Sequence, residues 1–253
     1  MKKLKYFGFV VLAMLAFVAC SDDDDRKDNS NDNDEGDKPS IVERKLKTMY
    51  ATYNEDGMSC HFDSPAWDDD RLISFESGEW GRSTITYLAN NKATVDDVEV
   101  TLNSQGYAII IKDGDYISTL TYNEEGQLTA CDEGREGDEF GDMTINYNSE
   151  GDITSTEHDY DGNRQFLYTN VDITSPIENK GGAMIMEMLE IGLDKSHYYY
   201  FGILGKGTKH LPVKIGMTTL DWTLDDKGYP VSCVVNDPED WETPIVVYHF
   251  VWE

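Results

Sequence analysis

The feature that most constrains the fold is a repeated unit: an aromatic residue, a short polar turn, a glycine, then a β-type strand. It reads Tyr122-Asn-Glu-Glu-Gly126-Gln-Leu128-Thr129 and again Tyr147-Asn-Ser-Glu-Gly151-Asp-Ile153-Thr154. Looser copies are Tyr53-Asn-Glu-Asp-Gly57, Leu102-Asn-Ser-Gln-Gly106-Tyr107 and Trp222-Thr-Leu-Asp-Asp-Lys-Gly228-Tyr-Pro-Val231. Glycine supplies the positive φ that closes a short hairpin loop, and Asn or Asp before it bonds to the local backbone. The glycines of the two best copies lie 25 residues apart, which fits two strands of roughly ten residues and their turns. The flanking segments alternate as strands do: Met143, Ile145 and Tyr147 share one face, and Tyr248, Phe250 and Trp252 share another near the end of the chain. Ile109-Ile110-Ile111 reads as a doubly covered or twisted stretch. The spacing therefore predicts a mainly β domain: one curved or barrel-like antiparallel sheet of hairpins.

One stretch breaks the period of two. Gly181-Gly182 precede a run with apolar residues at Ile185, Met188, Leu189 and Leu193. That is helical spacing, and it predicts a single helix near 182–193 that plugs the core. The following segment, Tyr198-Tyr-Tyr-Phe-Gly-Ile-Leu204-Gly-Lys-Gly-Thr-Lys209-His-Leu-Pro212, reads as a loop with close backbone approach at Gly205 and Gly207. It is also the one locally basic patch.

The chain starts with an export signature. Lys2, Lys3 and Lys5 precede an apolar run from Phe7 to Ala19, which is shorter than the roughly 20 residues a spanning helix needs. The run ends in Phe17-Val18-Ala19-Cys20, which resembles a bacterial lipobox whose cysteine is acylated. Ser21-Asp22-Asp23-Asp24-Asp25 follows directly, and it resembles the surface-export signal of Bacteroidetes-type lipoproteins. The expected organisation is a signal peptide at 1–19, an acidic tether carrying the export signal at 20–40, and a β-rich domain at 41–253. The tether has no aromatic or large aliphatic residue and cannot offset its ordering entropy by burial. The expected location is the cell surface, anchored by palmitate-type acylation at Cys20 to outer-membrane lipid.

The formal charge is −28. With the signal lysines and the tether's −6 set aside, residues 41–253 still carry −25. Nucleic acid is a poor partner for such a surface, because phosphate binding needs clustered Lys and Arg. The charge suits solubility and basic or cationic partners. Cys60, Cys131 and Cys233 allow at most one internal disulfide and lack CxxC spacing, so buried thiols are expected and a zinc site is not.

The segment Gly202-Ile-Leu-Gly-Lys-Gly-Thr-Lys-His-Leu-Pro-Val213, the preceding stretch from about 180, and Asp221-Trp-Thr-Leu-Asp-Asp-Lys-Gly-Tyr-Pro-Val231 resemble a Bacteroidetes lipoprotein family. That family is a domain of unknown function with a porin-like fold. The likeness covers most of residues 45–253. It implies an antiparallel, barrel-like or strongly curved sheet, and it implies no activity and no site residues. The Tyr…Gly units also resemble tyrosine–aspartate repeats of large shell-forming proteins, for which this chain is far too short. A true pore is not expected, since strand residues such as Thr144 and Asn146 give a polar second face where lipid needs an apolar band.

No catalytic motif stands out. The five histidines form no HExxH and there is no GxSxG elbow. No enzyme activity, cofactor or metal centre is expected. The one cation candidate is calcium, at Asn146-x-Asn148-x-Glu150-Gly151-x5-Glu157 or Glu157-x-Asp159-x-Asp161-Gly162, each an incomplete calcium loop that a hairpin turn also produces. Asp68-Asp69-Asp70 reads first as a solvated acidic loop. Five tryptophans and fifteen tyrosines supply flat rings for sugar stacking, although cross-strand packing consumes most aromatics. Trp67 and Trp241, flanked by acidic residues, are the ligand-binding candidates. The reading is a surface lipoprotein that captures a small ligand or glycan without catalysis. A structural or adhesive accessory subunit is the alternative, possible partners being a glycan or a surface protein, and a hydrolase comes third.

Overall fold

The computed structural model describes residues 44–53, 57–78, 81–135, 138–159, 162–183, 196–238 and 245–253. Strands β1 (Leu46–Tyr53), β2 (Gly57–Asp68), β3 (Arg71–Ser77), β4 (Gly81–Leu88), β5 (Lys92–Val95) and β6 (Val98–Leu102) follow one another as hairpins. So do β7 (Ala108–Asp113), β8 (Tyr116–Tyr122), β9 (Leu128–Arg135), β10 (Asp138–Tyr147), β11 (Ile153–His158) and β12 (Gly162–Leu167). A long connection then holds β13 (Ile177–Glu178), a 3-10 turn (Ser196–Tyr199) and β14 (His210–Leu211), and β13 pairs with β14. The main sheet resumes with β15 (Lys214–Ile215), β16 (Thr218–Leu224), β17 (Pro230–Asn236) and β18 (Ile245–Trp252).

The main sheet closes. β15 continues from β12, and β18 pairs with β1, so sixteen antiparallel strands form a barrel. Closure removes the two free edges that an open sheet would expose, with the two-residue β15 as the narrow seam between β12 and β16. The expected curved antiparallel sheet is therefore a complete ring. The helix expected near 182–193 falls on residues outside those described, as do residues 1–43.

Alternation decides what each face meets. Met49 pairs with Phe62 on one side and Phe250 on the other, Ala51 with Tyr248, and Tyr248 with Cys233. All six are buried and point into the barrel. Phe75, Ile85, Val95, Val100, Ile111, Leu120, Met143, Ile145, Phe166 and Leu220 continue that inner wall. Outward positions on most strands are polar: Thr84, Thr86, Thr94, Glu99, Lys112, Thr119, Asp132, Asp142, Thr144, Asn146, Glu157 and Asp221. A lipid-embedded barrel carries the opposite pattern, apolar outside and polar within. Of the isoleucine triplet, Ile111 is buried, Ile110 is exposed and Ile109 lies between, so the stretch is single-faced.

The lumen is filled by the long connection. Tyr198, Tyr199, Tyr200, Phe201, Ile203 and Leu204 are all buried. Tyr200 packs 4.8 Å from Phe62 and 5.2 Å from Phe75 between ring centroids, and Phe201 lies 5.3 Å from Phe75. The Tyr200 hydroxyl lies 3.3 Å from Met49 Sδ. Burying each such ring contributes about 2–3 kcal/mol. The sequence reads Tyr198–Pro212 as a loop with close backbone approach and assigns its aromatics no place in the core. Its aromatic run is instead core, because a wide barrel needs bulk that its own inward side chains cannot supply.

A candidate ligand cleft at the turn end of the barrel

Four of the repeated units form the same turn. In each, Asn or Asp accepts from the backbone N–H four residues on: Asn103 Oδ1 from Tyr107 at 3.0 Å, Asn123 from Gln127 at 2.9 Å, Asn148 from Asp152 at 3.0 Å, and Asp225 from Tyr229 at 2.9 Å. Each closes at a glycine of positive φ: Gly106, Gly126, Gly151 and Gly228. The turns join β6 to β7, β8 to β9, β10 to β11, and β16 to β17. In an up-and-down barrel these connections share one end, and the β12–β15 connection enters at that same end.

The entering segment is stitched to those turns. Ile203 O accepts from Ala108 N at 2.7 Å, and Gly126 O accepts from Lys206 N at 2.9 Å. Gly151 O accepts from Gln127 Nε2 at 2.9 Å and from Lys209 N at 3.2 Å. Gly205 passes so close that a Cβ there would lie 2.5 Å from Gly126 O and 2.9 Å from the Tyr122 ring. Asp152, only 1% exposed, is the anchor. Its Oδ1 accepts from His210 N at 2.8 Å and from Thr208 Oγ1 at 3.4 Å, and its Oδ2 faces His210 Nδ1 at 2.8 Å. Thr208 Oγ1 lies 2.7 Å from the Tyr168 hydroxyl. Burial pushes the Tyr168 phenol well above its usual range, and nearby Asp152 adds to this against the opposing Thr208 and Ile153 hydrogen bonds.

Between two of these turns and the stitched segment lies a cleft of about 510 Å³. Asn123, Glu125, Asn148 and Glu150 line one part of it, Lys206 and Lys209 another, and Tyr147 also contributes. Tyr147 is fixed by its hydroxyl donating to Leu128 O at 3.0 Å. Among the described residues neither Lys206 Nζ nor Lys209 Nζ makes an ion pair, although residues 41–253 carry −25. Amides, carboxylates and ammonium groups around one aromatic ring suit a hydroxyl-rich ligand of modest size. Glu150, Asp152 and His210 bring ligand atoms within 4.8 Å of one another. Both Asp152 oxygens already accept hydrogen bonds, so a cation there would compete with His210.

A second, smaller cavity of about 330 Å³ opens at the opposite end, lined by Asp113, Tyr116, Ser118 and Glu133 among others. Arg135 stacks 4.2 Å over Tyr116 and donates to its hydroxyl. Burial, then Glu133, raises the Cys131 thiol far above its usual range. Cys60, Cys131 and Cys233 are all free thiols; Cys131 and Cys233 are buried and Cys60 is half-buried.

The residues singled out from sequence fall elsewhere. Trp67 sits on β2 beside Leu72 of β3, several strands from the cleft, with Lys45 Nζ 4.6 Å over its ring. Lys45 also bonds Asp69 O at 2.9 Å and pairs with Asp70 at 3.1 Å, so the acidic turn serves this local contact. Trp67 is half-buried against the core and has one face taken by Lys45, which leaves it a poor stacking platform. Trp241, Cys20, Ser21, Asp22, Asp23, Asp24 and Asp25 lie outside the described residues. Trp222 and Trp252 donate to Pro212 O and Pro230 O at 2.8 and 2.6 Å and are packing residues. In the first calcium-loop candidate, Asn148 Oδ1 is occupied by the N–H groups of Glu150 and Asp152, and Asn146 Nδ2 bonds Ser155. The basic Lys206–His210 patch was visible in the sequence. Asp152 carried no signal beyond being an acid after a turn glycine.

No family model matches the chain, and no curated protein matches it. Among solved structures, the fold is similar to that of a porin-like protein from Bacteroides uniformis. The TM-score is 0.61 at 20% identity, covering 82% of this chain and 96% of the other. At that identity the likeness concerns the fold: this chain has a porin-like barrel, mainly β and closed with sixteen strands.

Proposed function

We propose that this protein is a lipid-anchored outer-membrane lipoprotein, displayed at the cell surface, that captures a small ligand or glycan without transforming it. The observation that carries the binding role is the turn-end cleft, where Lys206 and Lys209 stand without ion-pair partners among the described residues. Two exposed lysines side by side in so acidic a domain make the cleft locally less negative and supply donors that a hydroxyl- or carboxylate-bearing sugar can use. The anchor rests on Cys20 and the export signal on Ser21 to Asp25. A polar outer wall and a filled lumen support a barrel held beside the membrane rather than within it.

The test is a glycan screen by thermal shift on the wild-type chain and on Lys206→Ala/Lys209→Ala. A sugar that raises the melting temperature of the wild type and not of the variant supports the reading. Equal shifts in both would move the site elsewhere, and no shift with any glycan would remove the capture role.

A further inference from the structure

One sector of the outer wall departs from the rest. Cross-strand partners share a face, and the outward rows run Cys60–Tyr50–His249–Ser232 and Met58–Thr52–Val247–Val234 across β2, β1, β18 and β17. Val251 and Ile245 extend the sector along β18, opposite Thr48 and Asn236. These rows hold no Asp, Glu, Lys or Arg. Met58 is 72% exposed, Ile245 49% and Val251 43%. Charge returns at the borders, at Asp221 beside Val234 on one side, at Asp63 bonded to Thr48 on the other, and at the exposed Lys47 in the bulge that begins β1.

We infer that this wall rests on the lipid surface to which the chain is tethered. The inference relies on the Cys20 anchor proposed above. Three observations select lipid over a second copy or a protein partner. The chain that carries Cys20 leads directly into β1, one of the four strands of the sector. Four strands about 4.8 Å apart and about eight residues long present roughly 500 Å², short of the ~800 Å² per partner of a stable protein interface. The remaining outer wall carries acids that an anionic surface repels, and this sector does not.

Weak affinity is sufficient. Twenty-three residues lie between Cys20 and Arg44, and a tether of that length gives an effective concentration on the order of millimolar. The Tyr50 ring stacks on His249 at 4.7 Å, and such apolar bodies with polar tips suit the headgroup level. The sixteen-strand order also places β9 and β10 half a circumference from β1. Docking by this wall therefore puts the β8–β9 and β10–β11 turns, which line the cleft, on the side of the barrel away from the membrane.

The experiment uses the lipidated chain in phosphatidylcholine vesicles that carry a headgroup-linked nitroxide quencher. A fluorophore is placed on Cys60, within the sector, since Cys131 and Cys233 are buried. The control is Cys60→Ser/Thr144→Cys, which labels the outward face of β10. The expected result is quenching several-fold stronger at Cys60 than at position 144, lost in Val247→Asp with an unchanged melting temperature. Equal quenching at both positions on floating vesicles would overturn the docked wall while leaving the anchor standing. A chain that does not float with the vesicles would overturn the anchor and this inference with it. A vesicle-free dimer of the Cys20→Ser chain, dissociated by Val247→Asp, would replace lipid with a second copy as the occupant.

Discussion

Asp152→Ala should unfasten the segment that fills the barrel. The carboxylate is 1% exposed and takes three hydrogen bonds, from His210 N, His210 Nδ1 and Thr208 Oγ1, which join the β10–β11 turn to residues more than fifty positions away. Hydrogen bonds to a charged group contribute about 1.5–3 kcal/mol each, and removing one partner of a buried pair costs about 3–5 kcal/mol. We expect a loss near 4 kcal/mol, because Thr208 at 3.4 Å is the weakest of the three. For a domain of this size each kcal/mol lowers the melting temperature by about 2–4 °C, so the midpoint should fall by about 8–16 °C. Asp152→Asn keeps the shape and one acceptor toward His210 N, and should cost about 1 kcal/mol. Circular-dichroism melting measures both, and a double-mutant cycle with His210→Ala isolates the pair. Limited proteolysis adds the location, since cleavage should appear first between residues 196 and 213. A fall of less than about 2 °C for Asp152→Ala, with that segment still protected, would refute the latch, because it corresponds to under about 1 kcal/mol.

Gly205→Ala should destabilise by more than about 2 kcal/mol, since the added Cβ meets the Gly126 carbonyl at a positive φ of 84°. Gly216→Ala, at positive φ but facing open space, should cost only about 1 kcal/mol; equal losses in urea unfolding would refute the close-approach argument. Burial holds the phenols of Tyr122, Tyr147, Tyr168, Tyr198 and Tyr199 above their ordinary value. Their folded state favours the neutral form, so their contribution is complete below the unfolded value of about 10 and is lost as pH rises above it. An ultraviolet difference titration should show these tyrosines ionising only as the barrel unfolds at alkaline pH, and smooth ionisation of all fifteen in the folded chain would contradict the filled lumen.

The sequence by itself settled the local geometry. An Asn or Asp three residues before a glycine sets the turn wherever it falls, because its side chain bonds its own backbone and only glycine pays little for the positive φ. Asn123, Asn148 and Asp225 therefore announced hairpins, and alternation around Met143 and Tyr248 announced strands with one apolar face. Closure was not legible, since it depends on β18 meeting β1 across some two hundred residues, which no local pattern encodes. The Tyr198–Phe201 run was equally ambiguous: four aromatics beside a Gly-rich loop look alike whether they are exposed or fill a lumen, and only the ring of sixteen strands creates a space for them. The cleft combines both kinds of information. Lys206 and Lys209 stood out as the one basic patch, while Asp152, which holds the neighbouring Thr208 and His210, was one acid among 49 until the fold set it against His210. The uncharged wall also belongs to the tertiary structure. Its residues come from four strands at opposite ends of the chain, and pairing β18 with β1 is what brings Val234 and Val247 beside Tyr50 and Met58.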